Sequence, residues 1–101
     1  MAKALTTFNV TVATAGTRVQ VKATSTVARM VAIQGKYTNS GTLFVGDSSV
    51  AASNGFALNA REAFSVGEMQ LMTADNRIDL SLLYVDTSSS GDIAIIAYIP
   101  Y

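Results

Sequence analysis

The sequence contains no cysteine, no histidine and no tryptophan, and it has a single proline. Without cysteine there is no disulfide framework, no thiol nucleophile and no thiolate metal site. Without histidine no side chain has an unperturbed pKa near neutrality, which excludes Ser-His-Asp relays and histidine general acid–base steps within the chain. Charge is also scarce: 14% of the 101 residues are charged, against ~25% in an ordinary domain, and seven cations cancel seven anions. A net charge of zero gives no electrostatic footprint for nucleic acid or an anionic membrane, so neither is expected as a partner. Long apolar runs are missing too, since the longest, Ile93 to Ile99, has seven residues and a spanning helix needs ~20. The opening Met1-Ala2-Lys3-Ala4-Leu5-Thr6-Thr7 places threonine where a signal peptide needs its apolar stretch. The expectation is a protein made and kept in a cytoplasm, in which Asn9-Val10-Thr11 matches a glycosylation signal by chance.

The chain is rich in β-branched residues alternating with period two. Phe8, Val10 and Val12 alternate with Asn9 and Thr11; after a turn at Ala15-Gly16-Thr17, Val19, Val21 and Ala23 alternate with Arg18, Gln20 and Lys22. Further strands are expected at 29–34, 42–45, 63–66, 69–72, 78–86 and 92–99, separated by turns rich in Gly, Asn and Ser. Thr42-Leu43-Phe44-Val45 is apolar on both faces, and residues 50–59 read as a long surface loop. Pro100 requires the last strand to end there or lie at an edge. One hundred and one residues make one domain, and about eight short strands without a helical period give an all-β, single-domain antiparallel β-sandwich, jelly-roll-like. Residues 1–7 precede the clear alternation and read as an N-terminal arm before a sandwich domain over 8–101.

The motifs that carry chemistry elsewhere are weak here. Gly46-Asp47-Ser48 has the letters of a serine hydrolase motif, but no histidine exists to take the hydroxyl proton, and a turn closing a strand explains it better. Gly41 to Gly46 has phosphate-loop spacing, yet Asp47 stands where lysine belongs and would repel phosphate. Asp75, Asp79, Asp86 and Asp92 are oxygen donors of the kind Ca²⁺ prefers, but they lack the Asp-x-Asp-x-Asp-Gly order. No cofactor and no catalytic activity are expected.

Four stretches carry a resemblance: Ala13-Thr14-Ala15-Gly16-Thr17-Arg18-Val19-Gln20-Val21, then Val31-Ala32-Ile33-Gln34-Gly35, then Asn39 through Val50, then Ser53-Asn54-Gly55-Phe56-Ala57-Leu58. With Leu83-Tyr84-Val85-Asp86 and Gly91-Asp92-Ile93 they cover nearly the whole chain. The sequence resembles small β-sandwich virion proteins of tailed bacteriophages, which serve as head decoration or cement proteins and as fibre modules. It departs from that pattern at Asn59-Ala60-Arg61-Glu62, where the family's turn often carries glycine.

The resemblance implies a capsid decoration protein on the exterior of the virion head, with the major capsid protein as partner and no active site. The other reading is a head-fibre, tail-fibre or baseplate module that attaches to the host surface, for which residues 51–59 are the one candidate loop. An enzyme ranks last, because Glu62 and Glu68 are available as a carboxylate pair but nothing in the sequence brings them together. Low charge and the apolar stretches 42–45 and 93–99 point to a homo-oligomer, a trimer ahead of a dimer. Leu5, Phe44, Asn54, Phe56, Tyr98 and Tyr101 are the candidate partner contacts.

Overall fold

The computed structural model describes residues 5–67 and 78–100. Among the described residues nine strands run in the order β1 (Thr6–Thr11), β2 (Val19–Gln20), β3 (Val27–Gly35), β4 (Leu43–Gly46), β5 (Phe56–Leu58), β6 (Ala63–Gly67), β7 (Ile78–Asp79), β8 (Tyr84–Thr87) and β9 (Ile93–Pro100). They form two antiparallel sheets. One has the order β1-β9-β3-β6, with β7 also paired to β3; the other has the order β2-β8-β4-β5. The pairs β1·β9, β2·β8, β3·β6 and β4·β5 nest one inside the next along the chain, from the outermost strands to the adjacent β4 and β5, as happens when a long antiparallel ribbon rolls over on itself, so the sandwich is a jelly roll.

The core lies between the sheets and follows from strand parity. Val10, Val31, Ile33, Leu43, Val45, Val85, Ala94 and Ile96 all point inward and are buried, joined by Val12 and Leu80 from the connections. Burying each large aliphatic side chain contributes about 1.5–3 kcal/mol relative to exposure. β9 is central, flanked by β1 and β3, and is apolar on both faces. Ala94, Ile96 and Tyr98 enter the core, while Ile93, Ile95, Ala97 and Ile99 face outward and are half-buried by their neighbours. Pro100 ends this strand, opposite Ala28.

Three expectations need correction. The strand expected over 78–86 is broken into β7, a single 3-10 turn at Leu80–Leu82, and β8. Asp79 causes the break: its carboxylate accepts hydrogen bonds from the Ser81 amide at 3.0 Å and hydroxyl at 2.8 Å, capping the turn. Secondly, β1 begins at Thr6 rather than Phe8, with Thr6 opposite Tyr98 and Thr7 opposite Ala97. Thirdly, the expected loop over 50–59 contains β5.

β6 and β7 occupy the same side of β3: Gly67 lies opposite Met30 and Ile78 opposite Ala28. A bulge between Ala28 and Met30 in the pairing of β3 with β9 lies at the same level of the sheet. The strand expected at 69–72, together with Glu68, Asp75 and Tyr101, lies outside the described residues.

Candidate interaction surface

Rolling the ribbon gathers four connections, residues 12–18, 36–42, 59–62 and 88–92, at one end of the sandwich. Two buried aspartates tie three of them together. Asp92 accepts hydrogen bonds from the Ser40 amide at 3.1 Å, the Gly41 amide at 2.9 Å and the Thr87 hydroxyl at 2.8 Å. Asp86 accepts from the Gly16 amide at 3.0 Å and the Thr87 amide at 2.7 Å. The Asn39 side chain extends the ladder, donating to the Ile93 carbonyl and accepting from the Ile93 amide, both at 2.8 Å. The Ala15 amide donates to the Ser90 hydroxyl, and the Thr42 hydroxyl reaches Asn59 of the fourth connection.

Packing is close here as well. A Cβ on Gly41 would come within 2.6 Å of Ser89 Cβ and 2.9 Å of its amide nitrogen. A Cβ on Gly35 would meet the Asn59 carbonyl oxygen at 2.6 Å. The 59–62 turn takes the shape that glycine would favour, but with arginine: Arg61 has φ 73°. It is held by the Arg61 amide on the Gly35 carbonyl at 2.8 Å and by Glu62, whose carboxylate accepts from the Asn59 amide at 2.8 Å.

Every carboxylate oxygen of Asp92 is engaged by a donor, and no buried side-chain nitrogen or oxygen among the described residues lacks a partner. These donors stabilise the negative charge that a cation would otherwise have to balance. Asp79 stands apart, bonded to Ser25, Thr26 and Ser81. No group of three or more potential metal ligands occurs among the described residues. The cluster organises loops.

The other end combines local turns with one sequence-distant tie, in which Asp79 and Leu80 bond Ser25 and Thr26. Between β4 and β5, Asp47 accepts from the Ser49 amide and hydroxyl, and Asn54 bonds the Ala51 amide and the Ser49 carbonyl. Val50, 1% exposed, pins this loop to the body. Serine hydrogen bonds hold the Asp47 carboxyl below its usual range, the Ser49 hydroxyl first among them. Asp79 shows the same effect more strongly, through the Ser25 hydroxyl and then Ser81.

The two long sides of the sandwich, where edge strands of the two sheets face one another, are closed differently. On the β1/β2 side the Lys22 ammonium lies 5.2 Å from the Phe8 ring centroid, and Phe8 meets Tyr98 edge-on at 6.0 Å. On the β5/β6 side Phe56 and Phe64 close the seam with centroids 5.3 Å apart. Phe64 is half-buried opposite Ile33, whereas Phe56 remains 70% exposed.

The candidate contacts therefore separate. Phe56 and Leu5 are exposed, Leu5 at the start of edge strand β1. Asn54 is exposed with its amide committed to the loop, and Phe44 is half-buried on the outer face of the four-stranded sheet. Tyr98 is a correction: strand parity turns it into the core at 9% exposure, against Phe8, and a partner cannot reach its ring. What the sequence reading missed is Phe64, whose role depends on β5 and β6 meeting across the seam. No protein-family model, curated protein or solved structure matches the chain. Among the described residues no helix is long and apolar enough to cross a membrane.

Proposed function

We propose that the chain is a non-enzymatic assembly protein, a capsid decoration protein of a tailed bacteriophage that binds the outside of the assembled head and stabilises the junctions between capsomers. The observation that carries the reading is Phe56, a large apolar side chain held in the open by Phe64 and by a loop whose turns are hydrogen-bonded. A preorganised aromatic of this kind is what an interface uses as an anchor, because little conformational entropy remains to be lost on binding. The sequence has no histidine or cysteine, and the aspartates of the loop cluster are taken up by hydrogen bonds within the fold, which supports a binding role ahead of a catalytic one. A protein that binds the assembled lattice and not free subunits stabilises the shell by mass action, and many copies multiply the effect.

Co-sedimentation with purified heads of the encoding phage tests this. The wild-type chain is expected to pellet with heads and not to associate with free capsid subunits, and Phe56→Asp is expected to remain folded and stay in the supernatant. Retention on heads by Phe56→Asp would remove the anchor. Absence from heads, with immunogold labelling of tails or fibres, would replace the decoration reading with an attachment module.

A further inference from the structure

A free sandwich ordinarily shows water a polar outer face on each sheet. The five-stranded sheet does not. Down the outside of central strand β9 run Ile93, Ile95, Ala97 and Ile99, and Met30, Ala32 and Gln34 of β3 stand beside them in register with Ile99, Ala97 and Ile95, the Gln34 amide being bonded to the Arg61 carbonyl. The outward positions of β1 that flank this stripe are Thr7, Asn9 and Thr11, all uncharged. On β6 they include Ala63 and Ser65. No charged residue occupies an outward position in the paired register of β1, β9 and β3 from Met30 to Gln34. Arg29, at the bulge, and Lys36, just beyond β3, bound the stripe.

We propose that a second copy of this chain packs on this face, sheet against sheet about a two-fold axis. Four strands at ~4.8 Å and seven residues at ~3.3 Å give about 19 by 23 Å, or roughly 440 Å² in projection, and side-chain relief makes the accessible area larger. A standard interface takes about 800 Å² from each partner, so this face supplies the apolar centre of one, with the polar β1 threonines as rim. Among the described residues the paired register of this face holds no charge with which to select a charged partner, and Arg29 and Lys36 lie only at its ends. Two identical pleats also interdigitate at the ~10 Å spacing of packed sheets, as the two sheets within the protomer do. An isologous face closes at two copies, so the expected oligomer is a dimer rather than the trimer suggested by composition. The inference stands independently of capsid binding.

Analytical ultracentrifugation of the full chain reads it directly. Wild type is expected to be dimeric at tens of micromolar and indifferent to salt between 50 and 500 mM, and Ile95→Lys to raise the dissociation constant at least ~100-fold. A monomeric wild type, or an Ile95→Lys protein as dimeric as wild type, overturns the proposal. Because the chain has no cysteine, a milder substitution gives a second readout even if Ile95→Lys fails to fold. A thiol reagent should label Ala97→Cys progressively more slowly as protein concentration rises from 1 to 200 µM, while Ala57→Cys, on the exposed outer side of β5, labels at one rate throughout. Labelling of Ala97→Cys at one fast rate at every concentration overturns the proposal. Slow labelling at every concentration in a protein that sediments as a monomer also overturns it, and assigns the cover to another segment of the same chain.

Discussion

The two ends of the sandwich are held by different chemistry. At one end, buried Asp86 and Asp92 tie connections that are far apart in sequence, and their acceptor oxygens are shared among backbone amides and the Thr87 hydroxyl. At the other, Asp47 and Asn54 serve loops a few residues long, and Asp79 joins its own 3-10 turn to Ser25 and Thr26. A buried carboxylate that collects distant amides is costly to remove, because each donor is left unsatisfied in a medium that water does not reach. A solvated one is replaced by water. The first end is thus specified as one cooperative piece, and the second carries the exposed Phe56 without having to be rigid throughout.

The largest break in this contrast should come from Asp92→Ala, which strands the Ser40 and Gly41 amides and the Thr87 hydroxyl at a site 3% exposed. A loss of about 3–5 kcal/mol is expected in urea denaturation, a large share of the stability of a domain this size. Under 1 kcal/mol would mean the connections hold without it. Gly41→Ala should cost about 1–3 kcal/mol, because the added Cβ meets Ser89 at 2.6 Å with its backbone nitrogen close behind. The same measurement on Gly46→Ala, whose nearest neighbour is the Val50 side chain at 3.0 Å, is expected to show less.

At the other end the effects are smaller and depend on acid. The Asp79 carboxyl titrates below its ordinary 3.8 when folded, so its contribution is fully present above that pH and is lost as the pH falls through the folded value. Thermal melts of Asp79→Asn should therefore lie below wild type at pH 6 and converge with it as the pH falls through and below 3.8. A gap that persists unchanged at the lowest pH would assign its cause to packing. Back at the first end, in the 59–62 turn, Arg61→Gly should gain about 0.5 kcal/mol, since relief of the left-handed backbone exceeds the added unfolded-state entropy. Phe56→Ser should be the smallest, within about 0.5 kcal/mol of wild type, because the side chain is already largely in water. Retention on heads would be the property that changes.

The inward residues of β1, β3 and β9 were legible because period-two alternation states the face directly, as Val10, Val31 and Ile96 show. In residues 78–86 the same apolar richness misled, since Asp79 and Ser81 prefer each other to a ladder. Of the surface candidates, Phe56 stood out in the sequence, Phe64 did not, and Tyr98 was assigned to the wrong side.

The amino-acid sequence by itself determined the all-β class, the absence of histidine and thiol chemistry, and the excess of apolar residues in 93–99, because composition and local periodicity are properties of the chain. Only the tertiary structure decided that Asp92 is a buried organiser and not a solvated turn residue, that Phe56 stacks on Phe64, and that Ile93, Ile95 and Ile99 share an uncharged outer face. Each of these depends on which distant strands become neighbours. In a jelly roll the partner of an early strand is a late one, so the pairing that creates the surface leaves no local trace in either segment.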